Sequence, residues 1–259
     1  MYGLRHGAFV NISFSGSSRN WLFVASILAL FSHGLMFGTT MLRAEDMARA
    51  ERLWQEGSKA YSDQDWSKAA TSLRELCERH ESSPRADLAY FYLGESLLQS
   101  KRPEQARTCY DRFLEKKPRH HFSKQAQFRR GECAYLSGDH EAAGKTLQAF
   151  LDEHANDSLA GFATVYLGEM EMAAGRHEAA LTWFTRAIEQ FPQGPLVTDC
   201  RFGAARAQEE LKHFGEAEAI YRELADDEQC ARRGEAEFRI GVVRYALARY
   251  ADAAWSFAQ

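Results

Sequence analysis

Between Asp87 and Ser100 apolar residues recur at i, i+3, i+4 and i+7, the spacing of one face of a helix. Lys101-Arg102-Pro103 interrupts this pattern, and Glu104 to Lys117 is again amphipathic. Pro103 suits the first turn of a new helix, where its missing N–H is not needed. Ser137-Gly138-Asp139 and Ala174-Gly175-Arg176 interrupt later segments in the same way. Gly138 and Gly175 fit the left-handed residue that ends a helix. Pro84, Pro118 and Pro192 stand where a second helix must stop. The pattern predicts pairs of helices joined by short turns.

The pairs repeat. Small residues stand at Gly57, Gly94, Gly131, Gly168, Ala205 and Gly241, at spacings of 37, 37, 37, 37 and 36. Twelve positions after each comes an alanine: Ala69, Ala106, Ala143, Ala180, Ala217 and Ala253. Four further on is Leu73, Tyr110, Leu147, Phe184, Tyr221 or Phe257, and three beyond that Leu76, Phe113, Phe150, Ala187 or Leu224. Glycine inside a helix costs about 1 kcal/mol relative to alanine, so five at one register need a reason. Close crossing of the paired helices supplies it, with the bulky residues filling the volume on either side. These glycines and alanines are read as scaffold.

The pattern resembles the tetratricopeptide repeat, whose signature is Trp-x2-Leu-Gly-x2-Tyr, then Ala-x3-Phe, then Pro. The second unit fits with Tyr90, Leu93-Gly94, Ala106, Tyr110, Phe113 and Pro118; the fourth with Leu167-Gly168, Ala180, Phe184 and Pro192. Ala205 departs from the glycine, the third and fifth units lack the closing proline, and the period exceeds the usual 34. Ser83 to Gly94 is similar to the longer-repeat envelope members. These include the periplasmic coordinator of the Tol–Pal system and the repeat-bearing lipoprotein of outer-membrane barrel assembly. The resemblance covers residues 45–259, with repeats starting near 50, 87, 124, 161, 198 and 234, the last incomplete. It implies an all-α fold, a right-handed α-α superhelix of about six helix pairs.

The resemblance also implies a concave groove lined by the second, fifth, ninth and twelfth positions of each first helix. The fifth gives Trp54, Phe91, Phe128, Val165, Phe202 and Phe238; the ninth includes Glu95, Glu132 and Glu169; the twelfth includes Tyr61, Leu98, Tyr135 and Met172. Aromatics beside three successive glutamates suit an apolar, somewhat basic peptide or helix. The competing reading packs many of these aromatics between neighbouring repeats. The lysine and asparagine of the carboxylate-clamp version are absent at the fifth and ninth positions, so capture of a free C-terminal carboxylate is not expected.

Ahead of the repeats, Trp21 to Leu42 contains no charged residue, and Arg5 and Arg19 precede it. Twenty-two residues at about 1.5 Å each reach about 33 Å, enough to cross a bilayer. Residues 1–44 read either as a signal peptide, with an apolar run over 21–31 and cleavage after Ala44, or as an uncleaved membrane anchor. Leu42, three residues before the cut, is larger than such a site usually takes. Both readings place residue 45 onward outside the cytoplasm, in the periplasm or cell envelope. No cysteine precedes Cys77, so an N-terminal lipid-modified cysteine forms no part of this reading.

The charge balance argues against nucleic acid. Thirty-two basic residues face 36 acidic ones, and the three arginines before residue 45 sharpen the acidity of the remainder. His140-Glu141 and His177-Glu178 lack a second histidine one turn on, so neither makes a zinc motif, and His120-His121 reads as solvated surface. No phosphate loop, activated nucleophile or dinucleotide fingerprint occurs, and neither a cofactor nor a metal is expected. Cys77, Cys109, Cys133, Cys200 and Cys230 form no Cys-x-x-Cys pair and read as small buried thiols. The expected function is a non-enzymatic scaffold of the cell envelope that holds a partner polypeptide. The alternatives are the regulatory or oligomerising arm of a larger enzyme, and a self-assembling protein, that is, a homo-oligomer. The last repeat has room for only about two turns in its second helix, so Trp255 and Phe257 are expected to need cover from a longer array or a partner.

Overall fold

The computed structural model describes residues 43–258. The chain divides into two compact units, Met1–Glu51 and Arg52–Gln259. The targeting or anchoring segment expected over 1–44 lies outside the described residues except for its last two. Among the described residues no helix is long and apolar enough to cross a membrane.

Helix α1 covers residues 43–62 and is followed by α2 (Trp66–Arg79). The next pairs are α3 (Ala86–Gln99) with α4 (Pro103–Lys116), and α5 (Ser123–Leu136) with α6 (His140–His154). Then come α7 (Ser158–Ala173) with α8 (His177–Gln190), and α9 (Val197–Glu210) with α10 (Phe214–Asp226). The last pair is α11 (Arg233–Ala246) with α12 (Tyr250–Phe257). From α2 onward each helix packs on its sequence neighbours, and first helices also touch across repeats, α5 with α7 and α7 with α9. The result is the expected all-α right-handed superhelix of stacked pairs.

Local chemistry sets the helix ends. The carboxylates of Asp65 and Asp139 accept from the backbone N–H of Lys68 and Ala142, both at 3.1 Å, capping α2 and α6. Asp157 caps α7 by accepting from the N–H of Leu159 at 2.9 Å. Every turn between paired helices contains one left-handed residue. Gly138 and Gly175 take φ values of +79° and +70°, but Gln64, Lys101, Lys212 and Ala248 occupy the corresponding place at +57° to +63°. Non-glycine residues pay a steric penalty there.

The repeated glycines lie against the large residue of the paired helix. A Cβ on Gly57 would come within 2.7 Å of Leu73, on Gly94 within 2.9 Å of Tyr110, and on Gly131 within 2.6 Å of Leu147. Gly168 would meet Phe184 at 2.7 Å and Gly241 would meet Phe257 at 2.5 Å. The residue four positions after the alanine therefore sits directly on the glycine rather than to one side of it. Ala69, Ala106, Ala143, Ala180, Ala217 and Ala253 are all buried in the same crossings. Phe184 is held from both sides, because a Cβ on Gly203 of α9 would also lie 2.7 Å from its ring. Burial of such a ring stabilises by about 2–3 kcal/mol. At the last pair Trp255 and Phe257 are exposed on the eight-residue α12, although Phe257 covers Gly241.

Candidate partner-binding groove

The inner row of the solenoid is built from α1, α3, α5, α7, α9 and α11, and its side chains separate into two groups. Phe91 and Phe128, expected to face a partner, are only 2% and 1% exposed. Phe91 stacks on Phe122 with ring centroids 4.4 Å apart and meets Tyr110 and Phe113; Phe128 meets Phe150, Phe162 and Tyr166. Phe202 is buried against Tyr221 beneath the Arg232 guanidinium. The fifth position is thus filled by packing between repeats wherever a phenylalanine is flanked on both sides. Apolar burial outweighs presentation to solvent, and these side chains are corrected from groove to core.

Glu95 and Glu132 are corrected as well, being 4% and 9% exposed and fully engaged. Glu95 accepts from the Tyr110 hydroxyl at 2.6 Å and from Arg129 Nε at 3.2 Å. Arg129 Nη1 donates to Glu132 at 2.6 Å, and the Tyr166 hydroxyl donates to the other Glu132 oxygen at 2.8 Å. A chain Tyr110–Glu95–Arg129–Glu132–Tyr166 therefore crosses α3, α5 and α7. Burial and the facing carboxylates push the Tyr110 and Tyr166 hydroxyls well above their ordinary value. A similar link recurs further on: Tyr221 donates to Glu209 at 3.0 Å, and Arg239 reaches the same carboxylate at 3.2 Å.

Arg129, Tyr92, Tyr166 and Arg239 occupy the sixth position of their repeats, which the sequence reading passed over. A signal was present. The sixth and ninth positions are i, i+3 neighbours on one face, so Arg129 and Glu132 form a legible pair. Tyr61, Tyr92 and Trp54 form an edge-to-face cluster, with Tyr61–Tyr92 centroids 5.0 Å apart and Trp54–Tyr92 5.6 Å apart. Tyr135 lies 4.6 Å from Tyr166. Tyr61, Leu98, Tyr135 and Met172 are half-buried, leaving edges on the surface rather than whole rings or chains.

Open space remains beside α7. A groove cavity of about 310 Å³ is lined by Phe162, Val165, Tyr166, Glu169, Asp199 and Arg232. Phe162 and Leu196 are shared with an apolar slot of about 110 Å³ reaching Gly161, Phe191 and Pro195. Asp199 is paired with Arg232 at 3.0 Å, whereas Glu169 has no hydrogen bond or ion pair among the described residues. The same residues hold no group of three or more side chains arranged to bind a metal. His140 and His177 each open a helix, followed by Glu141 and Glu178 in the first turn. All five cysteines are buried and free.

Comparison with known proteins places this geometry. A tetratricopeptide repeat protein from Parabacteroides merdae superposes with a TM-score of 0.63 at 16% identity, covering 81% of this chain and 77% of that one. The apo form of RapI gives 0.62 at 11% identity, covering 81% and 74%. MamA gives 0.54 at 16% identity, covering 70% of this chain and 96% of that one. At these identities the likeness establishes the fold. No curated protein sequence matches the chain. The model of the YfiO family, described as outer membrane lipoprotein, matches residues 46–211, more than half of the chain, and the chain belongs to that family.

Proposed function

We propose that the chain is a non-enzymatic scaffold of the cell envelope that binds a partner polypeptide in the groove between α7 and α9. The observation that carries this reading is the contrast along the inner row. Side chains of the chain itself fill the row at α3 and α5, while the stretch lined by Val165, Glu169 and Asp199 stays open. An apolar wall with a few placed charges is the usual make-up of a recognition site. Envelope location is supported by the family's description and by the uncharged run from Trp21 to Leu42.

A photo-crosslinking residue placed at Val165 in the full chain tests the reading, with Glu141 on α6 as the comparison position. A discrete polypeptide adduct from Val165 and none from Glu141 is expected. Equal labelling from both positions, or none from Val165, overturns it. Self-association is a second reading, favoured by Phe238, Tyr245, Tyr250 and Trp255, which are 57–63% exposed on the last pair. Light scattering across a concentration series separates the two, since a monomer at all concentrations removes self-association.

A further inference from the structure

The inner carboxylates follow a rule that fails once. Each ninth-position glutamate of the middle repeats is met by the sixth-position side chain of the next repeat: Glu95 by Arg129, Glu132 by Tyr166. The next rung should join Glu169 to residue 203, which is glycine. A side chain is excluded there, since even a Cβ on Gly203 would lie 2.7 Å from the buried Phe184 ring. The packing of Phe184 therefore removes the internal partner of Glu169 and opens the cavity beside it.

We infer that the missing rung is supplied in trans: Glu169 receives an arginine side chain of the partner polypeptide, and the adjoining slot takes a branched aliphatic side chain. The inference rests on the groove reading above and names its recognition chemistry. Arginine is favoured over lysine because its planar fork can span a carboxylate, as Arg129 spans two within this protein. The slot of about 110 Å³ has apolar walls and is somewhat smaller than a cavity of about 150 Å³ that accepts benzene, which suits valine, leucine or isoleucine. Phe162, in the wall of the slot, and Glu169 lie two turns apart on α7, about 10 Å along its axis. An extended peptide covers that distance in about three residues. The motif expected is an aliphatic residue and an arginine three positions apart.

Fluorescence anisotropy with a labelled decapeptide carrying Leu-x-x-Arg, and with its Gln-for-Arg and Glu-for-Arg versions, tests this on the full chain. The wild type should bind the arginine peptide at least about tenfold more tightly than the glutamine peptide, with the preference shrinking as salt rises. Glu169→Gln should abolish the preference while leaving the melting temperature unchanged, because it breaks no internal ion pair. Ser158→Phe, at the edge of the slot, should weaken all three peptides. An arginine preference that survives Glu169→Gln overturns the assignment, and so does a wild type that fails to discriminate. If the Val165 crosslink still forms in that case, only the subsite falls; if it does not, the groove reading falls with it.

Discussion

Adding one methyl group to the helix crossing of the fourth repeat should destabilise the protein, although the same substitution elsewhere in a helix stabilises it. In Gly168→Ala the new Cβ would lie 2.7 Å from Phe184 Cε1 and 2.9 Å from Cζ. Ordinary carbon contacts are about 3.5–4.0 Å, so the overlap is near 1 Å. The ring cannot retreat, because Gly203 of α9 bounds it on the other side and the side chain is fully buried. Overpacking of this kind costs about 1–3 kcal/mol, against about 1 kcal/mol gained from helix propensity. The net expectation is a loss of about 1 kcal/mol, or about 2–4 °C in Tm for a chain of this size. Gly144 lies in the interior of α6 with no atom nearer than 4.0 Å to an added Cβ, so Gly144→Ala should gain about 0.5–1 kcal/mol. In a Phe184→Ala background, which removes the ring that meets the new Cβ, Gly168→Ala should lose its penalty. Thermal and urea unfolding followed by circular dichroism read all four variants. A Gly168→Ala protein as stabilised as Gly144→Ala would refute the close-crossing account.

Three further outcomes follow from the same geometry. Lys101→Gly and Lys212→Gly relieve left-handed strain at φ values of +57° and +63° and should each raise stability by about 1 kcal/mol, while Gly138→Ala at +79° should lower it by a similar amount in the same unfolding assay. Arg129→Ala strands Glu95 and Glu132, which are nearly buried, and should cost about 2–3 kcal/mol, discounted because the Arg129 side chain is a quarter exposed; addition of Glu95→Gln should recover part of the loss in a double-mutant cycle. Burial pushes the Cys109 and Cys133 thiols up to about 12 from an ordinary 9.0, so they should resist a thiol reagent at pH 8 until denaturant is added. Because these folded values are raised, their contribution is whole below pH 9 and is lost as pH rises from 9 towards 12. Tm measured across that window should fall, and a flat profile would contradict the burial.

The scaffold was legible because it is written five or six times over. Gly94 alone is an odd residue in a helix, but Gly57, Gly94, Gly131, Gly168 and Gly241 at one register demand a common cause, and each meets the bulky residue sixteen positions on. The left-handed residue within each turn was legible only where it is glycine. Gly138 and Gly175 announced a left-handed residue, whereas Lys101, Lys212 and Ala248 adopt the same conformation without any local signal, held there by the helices on either side. The groove was the least legible part. Periodicity fixes which face a residue occupies but not whether a neighbouring repeat already covers it. Phe91 is covered by Phe122, which stands in the linker between pairs at a place that Arg85 and Arg232 fill in other repeats, so no recurring residue type betrays it.

Burial of Glu95 and Glu132 also changes what kind of selectivity such a groove can have. Three exposed glutamates in a row would form a diffuse acidic strip, attracting basic segments with little regard to register. With two of the three held by Arg129 and Tyr166, the strip contracts to Glu169 beside an apolar slot. One charge and one pocket at fixed separation discriminate by spacing, which a diffuse field cannot do. The position of that charge was set by a packing decision two residues removed from the repeat signature: Phe184 at the crossing of α7 and α8 requires glycine at 203, and glycine at 203 leaves Glu169 without a partner. At residues 129, 166 and 203 the sixth-position residue therefore controls whether the preceding repeat's carboxylate is structural or available. A substitution at that position, more than one on the aromatic row itself, is where the groove of this solenoid can be retuned.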